Sequence, residues 1–190
     1  MLRGRFDEAL AALARARALD PLSLIINATS GFILYFARRS DEAVAHCEQA
    51  LATEANFSPS QYFLGLACEQ KGWYDRALAA FRKSWELAGE SAGIDAAALA
   101  HCAARAGRAA EARQIRDVLT RRAQAQYVPP FYGALVSLGL GDGPAALTAL
   151  EKSCEERDFY LIYLKVDPRL DPLRGDARFT DLLGRVGLAG

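Results

Sequence analysis

Five alanines, Ala9, Ala43, Ala77, Ala112 and Ala146, stand 34, 34, 35 and 34 positions apart, and Gly4, Arg38, Gly72, Gly107 and Gly141 keep the same step. A period of this length marks a helical hairpin repeated along the chain, in which each hairpin buries its apolar face only by stacking on its neighbours. The clearest unit is Ser58 to Ser91. Within it, QYFLGLACEQKGWYDRALAAF (61–81) reads as one helix, a turn at Gly72 and a second helix. Gly65 and Ala77 leave room where two helices touch, and Leu64, Tyr74 and Phe81 fill the space between them.

The same register divides the rest of the chain. Residues 4–21 read as the second helix of a hairpin, with Phe6, Ala9, Leu10, Leu13, Ala16 and Leu19 in one stripe and Asp20-Pro21 as its stop. Nothing upstream covers that stripe, so the chain reads either as a piece of a longer protein or as one that pairs with a second copy. Complete units follow at 24–57, 58–91, 93–126 and 127–160. Residues 88–93 form a turn-rich loop that absorbs the one additional residue. Val128-Pro129-Pro130 starts the first helix of the last unit, since proline is tolerated only in a first turn. Residues 161–190 change character: turns at Asp167-Pro168 and Asp171-Pro172 precede a short helix capped by Asp176. In that helix Phe179, Leu182, Leu183 and Val186 share a face and Gly187 ends it. One apolar side and one polar side make it an end cap.

Charge and cysteine usage exclude several classes. Acids and bases balance at 23 each in 190 residues, which supplies no basic footprint for nucleic acid. The longest apolar run, Leu22 to Ala37, is interrupted by Ser23, Asn27, Thr29 and Ser30 and is too short to span a bilayer. Cys47, Cys68, Cys102 and Cys154 lie far apart with no metal-ligand spacing, and read as free packed thiols of a reducing, cytoplasmic compartment. His46 and His101 have no acid or serine at a catalytic spacing, and Glu155 and Glu156 point to different sides of a helix. The glycines of 139–144 follow no strand and precede no Gly-Lys-Ser/Thr, so they make a turn and not a phosphate loop. No catalytic, metal or cofactor site is expected.

These residues resemble tetratricopeptide (TPR) repeats. The family carries small residues at repeat positions 8, 20 and 27 and an aromatic or large apolar residue at 24. Gly31, Gly65, Ala100 and Ala134 take the first place; the five in-phase alanines take the second; Ala16, Ala50, Ser84 and Ser153 take position 27; and Leu13, Phe81 and Leu150 take position 24. Cys47 and Arg116 depart from the pattern at position 24. The resemblance spans roughly 4–160 and implies an all-α fold, a right-handed superhelical α-solenoid of helix-turn-helix hairpins with the cap as part of the same domain. The tail YLKVDPRLDPLRGDARFTDLLGRVGL resembles the closing segment of repeat domains in bacterial multidomain signalling proteins, where a winged-helix or kinase module lies upstream.

The resemblance also implies where a partner would sit. In the family the first helix of each hairpin lines a concave groove, which here selects Phe32, Tyr35 and Phe36, then Tyr62, Leu66 and Glu69, then His101 and Arg105, then Phe131 and Leu135. The expected partner is a peptide or protein segment, with no nucleic acid and no membrane. Of the groups with which the family holds a terminal carboxylate, only Arg105 is present. Two readings of the aromatics stand side by side: anchors for an apolar segment, or packing between adjacent repeats. The run Arg108, Arg113, Arg116, Arg121 and Arg122 reads as a solvated outer helix. A structural role, homodimerisation through the uncovered N-terminal helix, is the alternative function.

Overall fold

The period of the sequence reappears in the backbone as one turn used again and again. Arg38, Gly72, Gly107 and Gly141 adopt positive φ of 64°, 71°, 80° and 80°. At each of them the following N–H closes the preceding helix: Arg39 donates to Leu34 O, Trp73 to Cys68 O, Arg108 to Ala103 O and Asp142 to Ser137 O, at 2.8–2.9 Å. This is the left-handed helix ending that glycine favours. Arg38 adopts it despite its Cβ.

The computed structural model describes residues 4–89 and 93–188, and no strand occurs among them. The helices are α1 (Phe6–Leu19), α2 (Leu24–Phe36), α3 (Ser40–Thr53), α4 (Ser58–Gln70), α5 (Tyr74–Ala88), α6 (Gly93–Arg105), α7 (Ala109–Ala123), α8 (Pro130–Gly139), α9 (Gly143–Glu155) and α10 (Ala177–Arg185). Short 3-10 helices occupy Phe159–Tyr163 and Pro168–Leu173. The expected loop at 88–93 falls partly on residues 90–92, which lie outside the described residues. The chain divides into two compact units, one ending at Asp95 and the other starting at Ala96. No helix among the described residues is long and apolar enough to cross a membrane.

In the first unit α2 pairs with α3 and α4 with α5, while α3 and α2 both pack on α4 and α1 packs on α2. Close approach depends on glycine. A Cβ on Gly65 would lie 2.6 Å from the Phe81 ring, and a Cβ on Gly31 would lie 2.5 Å from Cys47 Sγ. Cys47, the departure from the aromatic position, is thus fully buried against Gly31 and leaves no gap. On α1 the expected stripe is only half-covered: Phe6, Ala9, Leu10, Leu13 and Ala16 are half-buried, and Leu19 is 89 % exposed.

In the second unit α7 buries Ala112, Ile115 and Leu119 and leaves Arg116 in solvent, so the other departure costs the core nothing. Gly139 on α8 lies so near α6 that a Cβ would come within 2.7 Å of His101 O. The C-terminal helix forms where the sequence places it, with Asp176 accepting from Arg178 N at 2.7 Å, Phe179 and Leu182 fully buried, and Gly187 at φ 71°. The two expected proline turns merge into one 3-10 helix. Asp167 accepts from Arg169 N at 3.0 Å and pairs with the Arg169 guanidinium at 2.7 Å, both side chains buried, and Pro172 is accommodated within it. The 3-10 helix Phe159–Tyr163, capped by Asp158, has no counterpart in the sequence reading.

Candidate functional site

In the first unit the residues selected for partner binding meet as an aromatic chain running from α2 through α4 to α5. Phe32 stacks on Phe63 with centroids 4.4 Å apart and planes 21° apart, and meets Phe36 edge-on at 4.5 Å. Tyr62 meets Phe63 at 5.9 Å and Phe81 at 5.8 Å, both edge-on, and Tyr35 lies 5.1 Å from Phe36. Such offset and edge contacts complement the ring quadrupoles and hold the rings in place. Phe32, Tyr62 and Phe63 are half-buried; Tyr35, Phe36, Leu66 and Glu69 are buried. In this conformation Phe32, Tyr62 and Phe63 therefore present surface, and the other four serve the packing beneath them.

In the second unit His101, Phe131 and Leu135 are buried and Arg105 is exposed. Phe131 stacks on Tyr160 at 5.5 Å and 15°, and its backbone N–H donates to Asp158 Oδ2 at 3.3 Å. Ser153 donates to the same Asp158 oxygen at 3.2 Å, which ties α9 to the start of α8. Phe159 and Tyr127 are exposed beside this cluster, and Phe159 meets Tyr160 and Tyr163 edge-on.

Two features escaped the repeat register. Phe63 stands at a position the family does not assign to the groove. Its signal is that the preceding repeat carries an aromatic, Phe32, on the facing helix. Trp73, 42 % exposed at the α4–α5 turn, has Lys71 Nζ 4.5 Å and Arg76 Cζ 5.7 Å from its ring. Those cations also pair with Asp41 and Glu48 of α3. A surface cluster of this kind joins neighbouring hairpins.

Among the described residues no group of three or more His, Cys, Asp and Glu is placed to hold a metal. Burial pushes the Cys47 thiol up to about 12 and raises Cys68 as well, which suppresses the reactive thiolate. Cys47, Cys68 and Cys102 are buried thiols outside any disulfide, and Cys154 is half-buried. Burial lowers the His46 pKa, with the charge of Arg17 acting in the same direction. The exposed residues of α7 include Arg113, Arg116 and Arg121, Arg108 at its N-cap is exposed as well, and Arg122 is half-buried. Comparison with protein-family models and with curated proteins finds no match to this chain.

Proposed function

We propose that this chain is a non-catalytic protein-interaction module of the TPR type, its hairpins coiled into a right-handed superhelix that holds a peptide or protein segment along its concave face. The observation that carries the reading is the stacked, half-buried Phe32–Phe63 pair with Tyr62 beside it. Rigid aromatics that retain exposed surface make effective anchors because little conformational freedom is lost on contact. In this reading the chain is the sensing or recruiting part of a larger bacterial regulator in the cytoplasm. Affinity capture with the intact chain, followed by mass spectrometry, tests it against a Phe32→Ala/Tyr62→Ala control. Partners retained by the chain and lost by the control support it. A control that melts much lower while keeping every partner assigns the aromatics to packing alone.

The second reading, homodimerisation through α1, is favoured by a separate observation. No residue of α1 is buried, and Leu22 and Ile25 beyond it are 82 % and 54 % exposed. Contiguous apolar exposure of this kind favours association. Light scattering decides it: a monomer at all concentrations leaves α1 without that role.

A further inference from the structure

Within the first unit α1 and α3 flank a cleft of about 740 Å³, within the range of ligand-binding clefts. One wall is Ala14, Arg17 and Ala18 of α1; the other is His46, Gln49 and Thr53 of α3. Both sets follow helical spacing, so the walls are continuous ridges, and the stretch from His46 to Thr53 runs about 10 Å at 1.5 Å per residue. The floor comes from α2 through Leu24 and Asn27.

The lining is polar and one-signed. It includes a guanidinium and an imidazole, and no acid among the described residues. The acid that acts on His46, Glu42, is already engaged by Arg39 through two hydrogen bonds of 2.7 and 2.6 Å. Arg17 therefore supplies the positive charge of the cleft, and His46, whose pKa is lowered first by burial and then by the charge of Arg17, adds an imidazole N–H. Gln49 and Asn27 add amide groups that can both donate and accept, as a peptide backbone requires. The alanines of α1 leave room for a main chain to approach.

We propose that this cleft binds an acidic peptide segment, with carboxylates directed to Arg17 and His46 and the peptide backbone lying between the α1 and α3 ridges over Leu24. The site is separate from the Phe32–Phe63 surface and does not depend on the role assigned to it.

The test uses two short fluorescent peptides, acetylated and amidated: one rich in glutamate and alanine, the other with lysine at each glutamate. Fluorescence anisotropy with the intact chain at low salt is expected to show binding of the glutamate peptide only. Arg17→Glu, a change at an exposed position, is expected to weaken that binding at least tenfold and to admit the lysine peptide. Arg113→Glu, the same change on the exposed side of α7, leaves binding as it was. No binding of the glutamate peptide, equal binding of both peptides, or indifference to Arg17→Glu overturns the proposal. Displacement of the peptide by equimolar acetate also overturns it, in favour of a small carboxylate. Self-association that Arg17→Glu abolishes assigns the cleft to a second copy of the chain instead.

Discussion

The buried hydroxyl of Ser84 hydrogen-bonds the carboxylate of Asp95 and also donates to Ser58 O at 3.0 Å. Ser84 has one proton and faces two acceptors, Asp95 Oδ1 and Ser58 O, and can satisfy only one of them at a time. Burial raises the Asp95 pKa, against the opposing effect of the Ser84 hydrogen bond. Ser153, at the same repeat position as Ser84, also donates to a buried carboxylate, that of Asp158 at 3.2 Å, although Asp158 follows it by five residues where Asp95 follows Ser84 by eleven.

Removing this contact is expected to be costly, because it leaves a buried carboxylate short of a partner. Ser84→Ala should lower unfolding free energy by about 1–3 kcal/mol. Ser60 is the internal contrast: its hydroxyl is buried with no hydrogen-bond partner, and Ala50 occupies the position that Ser84 holds one repeat later. Ser60→Ala should therefore be neutral or stabilising in urea denaturation, and a loss comparable to that of Ser84→Ala would contradict the assignment.

The raised Asp95 pKa has a definite sign. A carboxyl whose folded pKa lies above its unfolded value binds more protons in the folded state, so its contribution is fully present below the unfolded value of 3.8 and is lost as pH rises through the folded pKa. Urea midpoints measured upward from pH 3.8 should show this loss in the native chain and less of it in Asp95→Asn. Identical slopes in the two proteins would rule it out.

Gly31 and Cys47 should be coupled energetically. Gly31→Ala forces a methyl to within 2.5 Å of Cys47 Sγ, an overpacking that costs about 1–3 kcal/mol. Cys47→Ala creates space at the same point, so the double mutant should be more stable than the sum of the single changes by more than about 0.5 kcal/mol. Additive effects would mean that the two do not share the space.

Arg38 is the non-glycine member of the recurring turn. A Cβ in the left-handed region costs about 1–2 kcal/mol, and Arg38→Gly removes that cost at an exposed position. The expected outcome is a higher melting temperature, with a gain of about 1 kcal/mol. A fall in melting temperature would show that the Arg38 side chain contributes more than its backbone costs.

The thiols should separate by accessibility. Cys47 and Cys68 are buried with raised pKa values and Cys102 is buried, whereas Cys154 is half-buried. An aromatic disulfide reagent at pH 8 should label Cys154 well before the other three, which should react together when denaturant unfolds the chain. Fast native labelling of Cys47 would contradict its burial.

The hairpins were legible in the sequence because their signals are local and obligatory. A turn at positive φ needs glycine or accepts strain, and two helices in contact need a small residue at the crossing. Gly72, Gly107 and Gly141, and Gly31 and Gly65, meet those demands wherever they occur in the period. The C-terminal helix was legible for the same reason, through Asp176 and Gly187. The repeat register also places Phe32 and Tyr62 among residues of the first helices. It does not say which of them stay exposed, because burial depends on what a distant part of the chain lays over each one.

Tertiary structure decided the remainder. It closes the gap at Cys47 by setting the sulfur over Gly31, brings Phe63 onto Phe32, and buries Tyr35, Leu66, Phe131 and Leu135. It merges the proline turns of 168–173 into one 3-10 helix and sets Arg17 and His46 on one cleft. Apart from the 3-10 helix, which Asp167 and Arg169 hold locally, each of these results from a contact between residues far apart in the chain. The 34-residue period determines which helix carries a side chain and on which face; only the packed neighbours determine what that face meets.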